Sequence, residues 1–471
     1  MIWSVVVLPF LLGAISFFIT NKSFLRRLLP VGGVLQGILV LSFWIIQPEG
    51  NTLVFVDALG FLFLSVTSFL FLIVSFYASG FLQSFTEKLS IFAGCLFFFL
   101  ASMSLVCISA DMGLLWVAIE ATTLSSAPLI YFHKDHRSLE ATWKYLLICS
   151  VGIALAWMGN IFLSYAGKDV LSTLFLPDIE AKAPLLDPHW LKVAFILWIV
   201  GYGTKMGLAP LHSWLPDAHS EAPSAVSALL SGALLNCAFL GILRGFGILK
   251  EAQLENWGRG ILVFFGLASI LLAGIFLLRQ NDFKRMLAYS SVEHMGILVL
   301  GTGMGGIAAI GALFHMVNHS LTKGLLFLTA GNILHHYRTK NLDSLGGILK
   351  QTPRTGFLWI LGFLAITGFP PFGLFLSEWF ILRGILEEGL PGIGILYLSG
   401  LFLVFLPIAR YVIQMVWGDS QVSLEELPKN ESYWSWLPPL VLGSIVLVLG
   451  VYPPPSFIHF LELASNGFGG W

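Results

Sequence analysis

Charge is what this sequence has least of. Asp, Glu, Lys and Arg make up 11% of its 471 residues, where a soluble domain carries about 25%. Hydrophobic residues reach 57%, and the mean hydropathy is +0.85. This balance excludes a soluble globular enzyme and a disordered chain. The net charge of −1 offers no bulk attraction to nucleic acid. Cysteine is also scarce. Cys95, Cys107, Cys149 and Cys237 are scattered through apolar stretches without a Cys-x-x-Cys pair, so no disulfide, zinc site or iron–sulfur cluster is expected. Alternating strands are missing as well: 61–77 is continuously apolar, unlike a strand of a transmembrane barrel. The opening Met-Ile-Trp-Ser-Val has no basic stretch and is expected to be a retained span, not a cleaved signal.

What is present is a series of apolar blocks of about 20 residues, the length that crosses a bilayer as a helix. The expected fold is an all-α polytopic membrane protein of about 14 transmembrane helices. They are placed at 3–20, 28–46, 54–79, 88–109, 111–132, 140–166, 190–210, 221–249, 258–279, 286–303, 305–335, 355–387, 392–417 and 434–452. The longest connections are 167–189, 336–354 and 418–433. Basic residues orient the chain. Connections after odd-numbered helices hold Lys22, Arg26, Arg27, Lys88, Lys134, Arg137, Arg279, Lys284, Arg285, Arg338, Lys340, Lys350 and Arg354. Those after even-numbered helices hold Lys168, Lys182 and Lys250. Odd connections are therefore expected in the cytoplasm, and both termini on the opposite side.

Two helices look broken: the seventh at Gly201-Tyr-Gly-Thr-Lys-Met-Gly-Leu-Ala-Pro210 and the twelfth at Thr367-Gly-Phe-Pro-Pro-Phe-Gly373. Such breaks are tolerated in a membrane where they line protein or a water-filled cavity. A pair of them five helices apart points to an inverted repeat with a path at its interface, and ordinary kinks are the plainer alternative. The expected division is 1–87 for helices 1–3, 88–250 for the first repeat, 251–418 for the second, and 419–471 for a loop and helix 14.

Ionisable groups occur inside these spans, where each costs at least about 2.5–3.5 kcal/mol unless paired or hydrated. Glu120, Lys205, Lys323 and Glu378 are central; Arg244, Glu293, His294, Arg383 and Arg410 are less so. His315, His319 and Lys323 recur every four residues and share one helical stripe. Histidine exchanges protons near neutral pH, and a desolvated lysine releases its proton more readily than a free one. Single structural hydrogen bonds would explain any one of these residues; together they favour proton conduction. Glu120 and Lys205 are expected to pair. Histidines four apart also fit zinc, but there is no His-Glu-x-x-His and no third ligand close in sequence, so no metal is expected. Gly301-Thr-Gly-Met-Gly-Gly306 joins two apolar helices without a preceding strand and reads as a tight connection. No flavin, nucleotide or haem motif is present, and no cofactor is expected.

Three segments carry a family resemblance. His212-Ser-Trp-Leu-Pro-Asp-Ala-His-Ser-Glu-Ala-Pro-Ser-Ala-Val-Ser227 resembles a signature of the antiporter-like subunits of respiratory complex I. Asp282-Phe-Lys-Arg-Met-Leu-Ala-Tyr-Ser-Ser-Val-Glu-His-Met-Gly296 and His315-Met-Val-Asn-His-Ser-Leu-Thr-Lys-Gly-Leu-Leu-Phe-Leu328 resemble two more. Trp116-Val-Ala-Ile-Glu-Ala-Thr-Thr-Leu124 and Glu140-Ala-Thr-Trp-Lys-Tyr-Leu-Leu-Ile-Cys-Ser150 look most like the F component of hydrogenase-4 and formate-hydrogenlyase-type complexes. The resemblance spans about 55–420. It implies two inverted five-helix repeats, helices 4–8 and 9–13. It also implies proton or Na⁺ translocation driven by a redox arm held in other subunits, with membrane subunits and lipid as partners. By motif, Glu120, Lys205, His315, His319, Lys323 and Glu378 form the path, with Asn236, His212, His219, Asp217, Glu293 and His294 in support. Asn236 stands where the family often has lysine, so water, Asn236 or His219 would have to link Lys205 to the central stripe. The alternatives are a subunit of a non-redox cation/proton antiporter or inorganic-carbon uptake complex, and a scaffold that has lost transport. The expected location is the cell (inner) membrane.

The basic asymmetry generates a first prediction. Cysteines placed in 133–139 and 338–354 should react with a membrane-impermeant maleimide only from the cytoplasmic side. Labelling of 338–354 from outside intact cells would reverse the orientation.

Overall fold

In hydrocarbon no water satisfies backbone amides, so each apolar block must close its hydrogen bonds within itself, and a helix does this. The computed structural model describes residues 1–81, 89–420 and 431–468. Lys88, most of the 418–433 connection and the boundary between 87 and 88 lie outside the described residues. The elements run α1 Ser4–Phe18, α2 Lys22–Ile46, α3 Ala58–Phe81, α4 Leu89–Ile108, α5 Met112–Ile130, α6 His136–Ala166 and α7 Leu176–Lys182. There follow α8 Pro188–Met206, α9 Leu215–Glu221, α10 Ser224–Leu229, α11 Leu235–Glu251, α12 Glu255–Leu277, α13 Phe283–Met304 and α14 Gly306–Tyr337. The chain closes with α15 Ile348–Gln351, α16 Pro353–Ile366, α17 Gly373–Glu387, α18 Pro391–Trp417, α19 Tyr433–Val451 and α20 Pro455–Ser465. Among the described residues, β pairing is limited to isolated bridges.

Each stretch expected as a span falls on one of these helices, except 221–249, shared by α10 and α11, and 355–387, shared by α16 and α17. Nine helices among the described residues are long and apolar enough to cross a membrane. α14 is not among them, because His315, Asn318, His319, Ser320 and Lys323 interrupt its apolar run. α7, α9, α15 and α20 were not foreseen. The first three have seven, seven and four residues, too few for a periodic signal. Helix starts are locally encoded. Asp111, Asp135, Asp187 and Asp282 each cap α5, α6, α8 and α13 by accepting from backbone amides of the first turn.

Both breaks are real. α8 ends at Gly207, whose φ of 83° favours glycine, and α9 resumes at Leu215. α16 ends before Gly368, with φ of 62°, and a Cβ there would collide with Glu378 Oε2. The second break therefore needs glycine for both conformation and space. A third irregularity left no mark in the sequence pattern: between α10 and α11, Leu230–Leu234 forms a π-helical turn. Such turns cluster at functional sites. The segment Ser224–Glu251 is buried along its whole apolar window, whereas α2 and α18 bury a third of theirs. The bundle is thus centred on α10–α11, with α4, α13 and α14 around it.

One ion pair ties this centre to the rim. Arg244 of α11 donates two hydrogen bonds, 2.6 and 2.7 Å, to Asp57 just ahead of α3. Burial pushes the Asp57 carboxyl up, but Arg244 and the Gly60 amide together bring it below its ordinary 3.8. The pair's contribution is therefore complete above about pH 4, the ordinary carboxyl value, and is lost as pH falls through the lowered folded value. Asp57→Asn leaves Arg244 without its counter-charge. Asp57 keeps 31% of its side chain exposed, so the expected loss is about 1–3 kcal/mol, below that of a fully buried pair. A thermal unfolding scan in detergent reads it. An unchanged midpoint would show the pair to be energetically idle.

Candidate functional site

Lys205 occupies the last turn of α8, where the helix dipole favours a cation. It is fully buried. Its ammonium donates to Thr123 Oγ1 at 2.8 Å and Tyr145 Oη at 2.6 Å, and stands 4.4 Å from the Tyr145 ring centre. Glu120, one turn before Thr123 on α5, accepts from Thr123 Oγ1 at 3.3 Å and from Ser150 Oγ at 2.9 Å. The expected Glu120–Lys205 pair is therefore not a direct one. The Thr123 hydroxyl stands between the two, accepting from the lysine and donating to the carboxylate. Sequence spacing could not show this, since Lys205 is 82 residues from Thr123.

The α14 stripe forms as expected, with His315, His319 and Lys323 all fully buried. Lys323 points into the bundle. Its ammonium donates to the Leu287 carbonyl at 2.7 Å and closely to Ser290 Oγ, both on α13. It makes no ion pair with Glu378. Glu378, at the start of α17, lies at the far end of the stripe, beside His315 and His294.

His294 on α13 carries more of the site than its place in the sequence suggests. Its Nδ1 lies 2.9 Å from His315 Nε2. Its ring centre is 5.0 Å from that of His315 and 5.1 Å from that of His319. Ser377 Oγ gives its proton to the Leu374 carbonyl at 2.7 Å, so at 2.9 Å it accepts from His315 Nδ1. His315 Nε2 is then the bare nitrogen, and His294 Nδ1 donates to it. His294 Nε2 lies 4.0 Å from Glu293 Oε2, and neither nitrogen of His319 has a hydrogen-bond partner. Adjacent motif members Glu293-His294 were visible in sequence; that His294 faces both α14 histidines was not.

The remaining expected residues divide. Asn236 of α11 donates to Ser320 Oγ at 2.8 Å and to the Gly232 carbonyl inside the π turn at 2.9 Å. It thus reaches α14 one residue beyond His319, and its Oδ1 is unpartnered. His219 on α9 donates from Nδ1 to the Leu215 carbonyl at 2.9 Å, which leaves a buried, unpartnered Nε2. His212 stands apart, its ring packed against Phe276 and Tyr289. Asp217 belongs to a surface network: it pairs with Lys144 at 3.0 Å and Arg285 at 2.8 Å, on the wall of a cavity of about 420 Å³ that also holds Glu140, Glu221 and Asp282. Two residues outside the expected set join α9 to this region. Lys284, 1% exposed, donates to the Ser220 and Ala222 carbonyls at 3.0 and 2.5 Å. Lys340 pairs with Glu221 at 2.8 Å. Both lysines neutralise the carbonyl end of the short helix.

Among the described residues, His294, His315 and Glu378 bring nitrogen and oxygen atoms within 4.8 Å of one another, and His319 is not of this group. Two of the three come from helices other than α14, His294 from α13 and Glu378 from α17.

Clusters of buried titratable side chains inside an apolar helical bundle define a class: polytopic membrane proteins that carry ions through a protein interior. The comparisons place this chain within that class. Residues 109–404 match the family model described as "NADH:quinone oxidoreductase/Mrp antiporter, TM", and the chain belongs to that family. It is 37% identical over 372 residues to the hydrogenase-4 component F homolog of Methylacidiphilum infernorum, covering 78% of this chain and 77% of that one. It is 31% identical over 447 residues to NADH-quinone oxidoreductase subunit N of Desulforudis audaxviator, covering 88% and 85%. A chain of the membrane-bound sulfane sulfur reductase, an archaeal respiratory membrane complex, shares the fold with a TM-score of 0.88 at 21% identity, covering 99% and 97%.

The interposed hydroxyl generates a prediction. Thr123→Val keeps the shape but removes a hydrogen bond to a charged group, a loss of about 1.5–3 kcal/mol. Ion transport in reconstituted vesicles should fall about tenfold or more by the same figure, and Thr123→Ser should restore it. If Thr123→Val transports normally, Glu120 and Lys205 communicate by another route.

Proposed function

We propose that this chain is the proton-translocating membrane subunit of a redox-driven complex of the hydrogenase-4 or NADH–quinone oxidoreductase kind. In this reading it has fourteen crossings in the inner membrane, two inverted repeats over 88–250 and 251–418, and both termini outside the cytoplasm. Other subunits hold the redox arm. The observation that carries the reading is the set of buried polar atoms between Lys205 and Glu378 that make no hydrogen bond to protein. They are Asn236 Oδ1 and both nitrogens of His319. Buried polar atoms are nearly always hydrogen-bonded, so these require water. Water there joins the separate protein contacts into one route. It runs from Glu120 through Thr123 to Lys205, past Asn236 to Lys323 and His319, and on through His294 and His315 to Glu378. Asn236 cannot carry a proton itself, but it holds the water that does.

Lys323 is the decisive member. Its two hydrogen-bond partners are neutral, and Glu293 acts on it only as a more distant charge, so no direct ion pair holds its proton. Lys323→Met removes the exchangeable group. Lys323→Arg keeps the charge but cannot release the proton. Both should lower proton uptake by inside-out vesicles carrying the whole complex by about a hundredfold or more, the range of a lost proton-transfer group. Normal pumping by Lys323→Arg would make Lys323 a fixed charge and sink the relay. If uptake in the natural chain follows Na⁺ and is independent of the redox donor, the antiporter reading takes its place.

A further inference from the structure

We infer that His294, His315 and Glu378 form a binding site for a single divalent transition-metal ion of the zinc type, lying across the proposed path. Three independent observations point to it. His294 Nδ1 and His315 Nε2 face each other at 2.9 Å. Zinc bonds to imidazole nitrogen of about 2.0–2.1 Å put the ligand atoms of a tetrahedral centre roughly 3.3 Å apart. The two nitrogens need to separate by only a few tenths of an ångström. A Glu378 oxygen lies within 4.8 Å of both, and rotation of its side chain brings it onto the same centre. Two imidazoles and a carboxylate, with a fourth position left for water, are a set that suits zinc and not magnesium or sodium.

The second observation is the outer shell. A ligating histidine almost always anchors its other nitrogen, which fixes the ring and its tautomer. Ser377, next to Glu378 in sequence, accepts from His315 Nδ1 at 2.9 Å. The Nε2 lone pair of His315 is therefore already aimed at the centre. His294 Nε2 is buried, 4.0 Å from Glu293 Oε2, and the Ile366 backbone is the other acceptor set against this imidazole. When the ion replaces the shared hydrogen bond, the His294 proton moves from Nδ1 to Nε2. Nδ1 is then free to ligate, and no proton is gained or lost. The third observation is access. His294 and His315 are buried, but Glu378 keeps part of its surface open. It stands against Gly368 at the break between α16 and α17, so the ion has a way in from that side.

Binding stands on this geometry alone. Its consequence, exclusion of the proton from the His294–His315 bond and arrest of transport, rests on the proposed function. The experiment separates the two. The purified full-length chain in lipid nanodiscs is titrated with ZnCl₂ against a chromophoric chelator, and zinc-edge X-ray absorption reads the bound ion. The expected result is one Zn²⁺ per chain with nitrogen and oxygen neighbours only. Affinity should drop at least about tenfold in Glu378→Gln and further in His315→Ala. The exposed-site control His459→Ala should match the natural chain. No stoichiometric binding, sulfur in the absorption spectrum, or binding that survives His315→Ala would each overturn the site. The spectrum of the natural chain decides even where a variant does not fold.

Discussion

The structure depends on the cost of holding a charge where there is no water. A lysine in hydrocarbon must face the protein interior, and an interior crossed by helices offers few partners. Lys205 and Lys323 are each fully buried, and each is met by hydroxyl and carbonyl oxygens supplied from a neighbouring helix. The rest follows from supplying those oxygens. α8 must stop at Gly207 so that Lys205 sits at a helix end. α5 must turn Thr123 and Glu120 inward together. α13 must present Leu287, Ser290 and His294 to the stripe on α14. The π turn at Leu230–Leu234 brings Asn236 to Ser320.

The kind of partner separates two classes of buried cation. Arg244 meets a carboxylate through two short hydrogen bonds. Such a pair holds its charges permanently, and it joins α11 to the approach of α3. Lys205 and Lys323 meet neutral oxygens instead. Nothing locks their protons in place, and the nearest carboxylate to Lys205 acts through the Thr123 hydroxyl. The surface network around Asp217 is of the first kind, built of full ion pairs, and it joins α6 and α13 to α9. The zinc-type site sits in the second class, because the bond it would occupy is one that two neutral imidazoles share.

Composition and spacing were enough to determine much of this protein. Apolar blocks of bilayer length specify the helices, since in hydrocarbon a backbone has little other choice. Glycine and proline mark both breaks. Four-residue spacing places His315, His319 and Lys323 on one stripe, because the helical period is a local property. The short helices α7, α9 and α15 and the π turn were not legible, as each lacks a period long enough to register. Only the tertiary structure decided who meets whom. Thr123 rather than Glu120 touches Lys205, Glu378 stands by His315 and not Lys323, and His294 completes the histidine cluster from another helix. Such contacts join residues far apart along the chain. They depend on the rotation and depth of whole helices, which packing of the entire bundle sets and no local pattern encodes.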